Sequence, residues 1–252
     1  MDLSNIEIPL ILTILAGLST GIGSLISLFI RSFNKRYLYF SLGLSAGVMI
    51  YVSFAELLAS AVEGIGFLSA NIAFFGGIIF ILLIDFLVPH EYIEEHVKVD
   101  KKNKKLMSAG LFTAIGIAIH NFPEGLAVFV SSMSDISLGI PLAFAIAVHN
   151  IPEGIAVAMP IYYATRSRAK ALTYSFLSGV AEPVGAIIGI IILAPFINEF
   201  VINVCLAFVA GIMIFISFDE LLPASLKDKN SHIPILGLIS GMVLMAISLQ
   251  IL

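Results

Sequence analysis

The chain has 252 residues, 59% of them hydrophobic and 12% charged, with a mean hydropathy of +1.06 and a formal net charge of −4. Soluble domains average about 25% charged residues, so these values exclude a soluble domain and place the chain in lipid. The scarce basic residues lie between the apolar runs, which argues against nucleic acid as a partner, and the single cysteine, Cys205, excludes an internal disulfide or a multi-thiolate metal cluster.

A membrane-crossing helix needs roughly 20 mainly apolar residues, and eight such runs follow one another. The first, 7–30, is preceded by Asp2 without any Lys or Arg and is too long for a signal-peptide core, so no cleaved targeting segment is read there. Arg31, Lys35 and Arg36 lead to the second run, 38–58, which carries Met49 and Glu56; the third, 70–89, ends near Asp85. A charged loop over about 90–106 contains His90, Glu91, Glu94, Glu95 and His96, with Lys98, Lys101, Lys102, Lys104 and Lys105. Its first reading is a solvated linker, its second an inner metal-holding loop. The fourth run, 107–131, contains His-Asn-Phe-Pro-Glu-Gly at 120–125, and the fifth, 139–163, contains His-Asn-Ile-Pro-Glu-Gly at 149–154. After Arg166, Arg168 and Lys170 the sixth, 170–193, carries Glu182 before Pro183; the seventh, 199–222, carries Met213, Asp219 and Glu220; Lys227 and Lys229 precede the eighth, 233–252. Residues 1–252 therefore read as a single all-α transmembrane domain.

With eight spans, all 13 Lys and Arg fall on one side, while the opposite connections contain only acidic or neutral residues, including Glu63, Asp135 and Glu199. The positive-inside rule then puts the basic side in the cytoplasm and both termini outside.

Two internal repeats organise the spans. Residues 114–130 match 143–159 at 10 of 17 positions, relating spans four and five, and 45–61 match 209–225 at 9 of 17, relating spans two and seven. Each pair has opposite orientation across the membrane. The offset of the second pair also places Gly77 of span three on Gly241 of span eight. The expected arrangement is 3+2+3: spans 1–3 and 6–8 form an inverted repeat around the central pair 4–5. Inverted repeats are typical of secondary transporters, whose sites lie at the repeat interface near the midplane.

Ionisable side chains at bilayer depth cost about 2.5–3.5 kcal/mol on insertion scales and mark function by default. His120, Glu124, His149, Glu153 and Glu182 all fall near span centres. A lone buried His or Glu is usually a hydrogen-bonded core residue; duplication of the His-x3-Glu pair, whose members share one helix face, favours a ligand set over a metal-free proton relay or a structural ion pair. Two imidazoles and two carboxylates suit zinc, iron, manganese, cobalt or cadmium, whereas magnesium and calcium favour oxygen alone. Pro123 and Pro152 should kink their helices and free the carbonyls of Ile119 and Val148. Asn121, Asn150 and Glu182 could complete the shell or build a second site beside it. Glu56 and Glu220, the latter beside Asp219, are expected as acidic stations near the outer and inner mouths, raising local cation concentration. Met49 and Met213, seven residues before each glutamate and so on its helix face, are either soft thioether donors or core filler.

With HNFPEG, HNIPEG and the Ala-Glu-Pro of 181–183, together with SFAELL, SFDELLPA and the Leu-Ser-Thr of span one, the chain resembles the ZIP (Zrt/Irt-like) family of divalent metal transporters, most closely its bacterial ZupT branch, over essentially its full length. The resemblance implies uptake of zinc foremost into the cytoplasm across the inner membrane of a prokaryote, with the metal as cargo rather than cofactor, and a homodimer moving one bundle against another. It also implies a binuclear site: His120, Glu124, His149 and Glu153 as primary ligands, and Asn121, Asn150 and Glu182, with the shared glutamates, at the secondary position. Some relatives carry a carboxylate where Asn150 stands and a glutamine at the fifth-span histidine.

Two other functions fit a buried metal: an intramembrane zinc hydrolase, in which metal activates water, and a metal-sensing receptor without flux. Against the hydrolase, no His-Glu-x-x-His occurs and every candidate ligand of the central pair has a symmetry mate, leaving no separate base. No GxxxxGK[ST] nucleotide loop is present, so ATP does not drive the chain from within itself.

Overall fold

The computed structural model describes residues 6–29, 35–87, 101–193, 196, 198–226 and 232–251. Among the described residues every regular element is helical, and eight helices are long and apolar enough to cross a bilayer. Their spanning segments are α1 (Glu7–Ser27), α2 (Arg36–Ile65), α3 (Phe67–Phe86), α4 (Thr113–Met133), α5 (Ile136–Thr165), α6 (Arg168–Ile192), α7 (Glu199–Ser225) and α8 (Ile233–Gln250). Helices answer the constraint lipid imposes, since each satisfies its own backbone polar groups without water.

Two boundaries differ from the sequence expectation. Span two runs on past residue 58 to Ile65 and stops only at Gly66, whose φ of +80° is left-handed backbone. The helix of α4 begins at Lys101, so the end of the expected 90–106 loop is helical; His90, Glu91, Glu94, Glu95 and His96 lie outside the described residues. Joints within the chain are short. Asp135 alone separates α4 from α5 and caps the latter, its Oδ1 accepting from the Ser137 amide at 2.8 Å. The backbone and side-chain hydrogen bonds from Ser137 hold the Asp135 carboxyl below the usual carboxylate range. Between α5 and α6, Arg166 takes φ 55°, its amide bonds the Tyr162 carbonyl at 2.7 Å, and its guanidinium lies over the Tyr163 ring. Pro123, Pro152 and Pro183 all sit inside continuous helix.

The helices pack as two groups. α1, α4, α5 and α6 are mutually packed; in the other group α2 packs on α8 and α3 on α7, with α2 and α7 joined through their π turns and the turns that follow them. The groups meet where α2 crosses α5 and α7 crosses α4. α3 and α8 are the most lipid-facing, with Phe67, Ile72, Phe75, Ile79, Leu83 and Phe86 exposed along α3, while α5 and α7 are the most enclosed.

Both α2 and α7 contain one π-helical turn, Ser53–Leu57 and Ser217–Leu221, each closed by an amide-to-carbonyl bond five residues back. These are the Ser-Phe-x-Glu-Leu segments, 164 residues apart. A π turn inserts a residue into the helical register and commonly marks a functional site. It rotates Glu56 and Glu220 relative to Met49 and Met213, so the seven-residue spacing does not keep them on one face. Close approaches repeat at the same offset: Gly77 lies against the Phe208 carbonyl and Gly241 against the Leu44 carbonyl.

Candidate metal centre

The centre forms where α4 and α5 face each other. His120, Asn121, Glu124, His149, Asn150, Glu153 and, from α6, Glu182 are all fully buried. His120 Nε2 is 3.0 Å from Glu153 Oε2, and His149 Nε2 is 3.2 Å from both oxygens of Glu124. Each histidine therefore pairs with the glutamate of the other motif copy, not with the glutamate one turn along its own helix. Antiparallel packing produces this exchange, because a residue early in one copy faces a residue late in the other. Among the described residues no three His, Cys, Asp or Glu converge as a ready cage; the four donors are held as two reciprocal pairs.

Close packing makes the exchange possible. Gly125 lies against the backbone of Glu182, and Gly154 against the Thr20 carbonyl; Gly185 meets the Phe122 carbonyl, and Gly23 the Ile151 carbonyl. Glycines after each motif thus let α6 approach α4 and α1 approach α5 in matching fashion. The amide groups repeat the pattern: Asn121 Nδ2 donates to the Ser178 carbonyl at 3.2 Å, and Asn150 Nδ2 to the Ala16 carbonyl at 3.0 Å. Asn150 Nδ2 also donates to Glu182 Oε1. This leaves Asn121 Oδ1, Asn150 Oδ1 and Glu182 Oε2 buried without hydrogen-bond partners. An unsatisfied buried acceptor costs about 1–3 kcal/mol, and oxygen acceptors are the donors that hard cations take.

The expected mouth residues are not treated alike. Glu220 is half-buried, lies against Gly116 one turn before His120, and is within electrostatic reach of His120, Asp85, Asp219 and Glu153. Asp219 faces outward and is exposed. Among the described residues Glu56 has Ser60, its hydroxyl 3.4 Å away, and Glu63 as polar neighbours, and no contact with the central pairs. Gly116 leaves the space that the Glu220 carboxylate occupies, and its repeat mate in α5 is Ala145. Met49 and Met213 are fully buried in the apolar core. One contact escaped the sequence reading: Ser45 of α2 donates its hydroxyl to Glu153 Oε1 at 2.6 Å. Its only signal was a hydroxyl at the first position of the second repeat, where the mate is Val209.

The chain is similar to known proteins over its whole length. The model of the family described as ZIP Zinc transporter matches residues 89–249. The zinc transporter ZupT of Oceanobacillus iheyensis is 52% identical over 99% of this chain and all of that protein. The zinc transporters ZupT of Chlorobium luteolum and Streptococcus mutans are 52% and 54% identical, covering 99% and 95% of this chain and 100% and 95% of those proteins. On the family match and on relatives alike from end to end, the chain belongs to the ZIP zinc transporter family.

Proposed function

We propose that the chain carries zinc, and with it iron, manganese, cobalt or cadmium, across a bacterial cytoplasmic membrane into the cytoplasm. The observation that carries this reading is the pair of reciprocal, fully buried His–Glu contacts between two copies of one motif. A divalent ion entering between them exchanges each His–Glu contact for two metal bonds, with Nε2 of His120 and His149 and the carboxylates of Glu124 and Glu153 as the four-coordinate set. Borderline donors of this mixture suit zinc. Membership of a transporter family sets aside the intramembrane hydrolase.

A second ion is assigned to the oxygen lining of Asn121, Asn150 and Glu182, shared with Glu124 and Glu153; the unpartnered oxygens support it. Glu56 is the outer station and Glu220, with Asp219, the inner one. The matching glycine–carbonyl contacts, the paired π turns and the mirrored packing of α4 on α6 and α5 on α1 support the 3+2+3 inverted repeat, and the one-sided distribution of Lys and Arg supports both termini outside. No nucleotide is required, and the working unit is a homodimer.

The direct test is uptake of radioactive zinc by proteoliposomes holding the purified chain, with the other metals as competitors. Saturable zinc accumulation, competed by transition metals and not by magnesium, is the expected result; vesicles that bind zinc but never accumulate it would favour the sensing receptor. A variant examines the second ion. Asn150→Asp replaces a donor to Glu182 and Ala16 with an acceptor, setting like charges together. Its thermal stability should drop below that of the parent protein in chelator and be recovered by zinc, since a ligand that binds only the folded state stabilises it by mass action.

A further inference from the structure

All seven candidate donors belong to α4, α5 and α6, which lie in one helix group, but Glu153 is also held by the other. Ser45 Oγ, on α2, donates to Glu153 Oε1 at 2.6 Å, and neither side chain is solvent-accessible. The remaining polar bonds around the centre stay inside the first group: Asn121 to Ser178, Asn150 to Ala16 and Glu182, and Ser175 to the carbonyls of Thr20 and Gly154. The hydroxyl takes one carboxylate oxygen and leaves Oε2 turned to His120.

We propose that Ser45 is a positioning residue for metal capture, a hydroxyl supplied by the α2, α3, α7, α8 group that fixes the ligating pose of Glu153. The zinc affinity of the centre then depends on how the two groups are seated, because sliding α2 along α5 withdraws the donor. Among the described residues Glu124 has no such tie. The repeat mate of Ser45 is Val209, which cannot donate, so the two carboxylates of an otherwise symmetric set are unequal, one anchored across the group boundary and one not.

This inference rests on the transporter reading, and its test separates the two. Losing a hydrogen bond to a charged group corresponds to roughly a tenfold or larger loss of affinity. In proteoliposomes, Ser45→Ala should raise the KM for zinc about tenfold without lowering kcat, and equilibrium zinc binding to the purified variant should weaken by the same factor. Ser45→Thr, which keeps the hydroxyl, should recover most of the affinity. A helix-packing role would instead lower kcat and the amount of inserted protein with KM unchanged, and that pattern overturns the proposal. So does zinc binding by Ser45→Ala equal to that of the parent chain, or a Ser45→Thr variant that inserts normally yet binds as weakly as the alanine variant. Failure of the unaltered chain to accumulate zinc would instead overturn the transporter reading itself.

Discussion

Replacing Glu153 with alanine should reduce zinc accumulation by about a hundredfold or more while the protein still reaches the membrane. Glu153 has a partner on each carboxylate oxygen, His120 on one and Ser45 on the other. Its loss removes one of four proposed ligands, and about 3 kcal/mol of lost transition-state stabilisation is already a hundredfold in rate. It also strands His120 in a fully buried position. Removing one member of a buried pair costs about 3–5 kcal/mol of stability, so the thermal midpoint should fall as well. Glu153→Gln separates the two effects. The amide oxygen still accepts from Ser45 and the side chain keeps its volume, so folding should be nearly unchanged, while an amide is a poor zinc ligand and uptake should remain low. Glu124→Ala and His149→Ala should behave as Glu153→Ala does. Normal uptake by all three alanine variants, measured against protein recovered from the membrane fraction, would remove the centre from the transport path.

A second large effect is expected from a single methyl group. Gly23→Ala should destabilise the protein severely, whereas Gly21→Ala, two residues away on the same helix, should be neutral or slightly stabilising. A Cβ at Gly23 would overlap the carbonyl of Ile151, which lies between Asn150 and Pro152 in the α5 motif; backbone cannot turn aside as a flexible side chain can. α1 would have to move away from α5, and overpacking of this kind costs about 1–3 kcal/mol or more. A Cβ at Gly21 meets only the Phe176 ring, at 3.6 Å, an ordinary contact, and alanine is about 1 kcal/mol better than glycine within a helix. Thermal unfolding of both variants in the same detergent decides the matter: equal midpoints would show that the α1–α5 spacing can relax.

Much of this was legible in the sequence. The eight apolar helices followed from hydropathy, because lipid forces a long apolar run to satisfy its own backbone. The burial of His120, Glu124, His149, Glu153 and Glu182 followed from their central places in those runs. What spacing could not show was partnership. The four-residue separation of His120 and Glu124 says that they leave the helix on one face; the facing helix decides that His120 meets Glu153. The π turns were equally hidden, since Ser-Phe-Ala-Glu-Leu carries no distinctive helix breaker and only the structure displays the inserted residue. The approach of Glu220 to His120 beside a distant Glu56 depends on Gly116, a small residue whose effect appears only once α7 lies across α4. Ser45 resembled any hydroxyl in an apolar helix, most of which, like Ser19, Ser24 and Ser217 here, bond a carbonyl of their own helix.

The helices are also unequal in length. The spanning segments of α5 and α3 have 30 and 20 residues, which at 1.5 Å per residue come to about 45 Å and 30 Å against a hydrocarbon layer of about 30 Å. α3, exposed to lipid along its length, matches that thickness, while enclosed α5 exceeds it by about 15 Å. Hydrophobic mismatch therefore bears on the α3 side of the molecule, and α5 has enough surplus length to shift several ångströms across the bilayer and still span it. A thinner or thicker membrane should therefore disturb the seating of α3 before it changes what the centre binds.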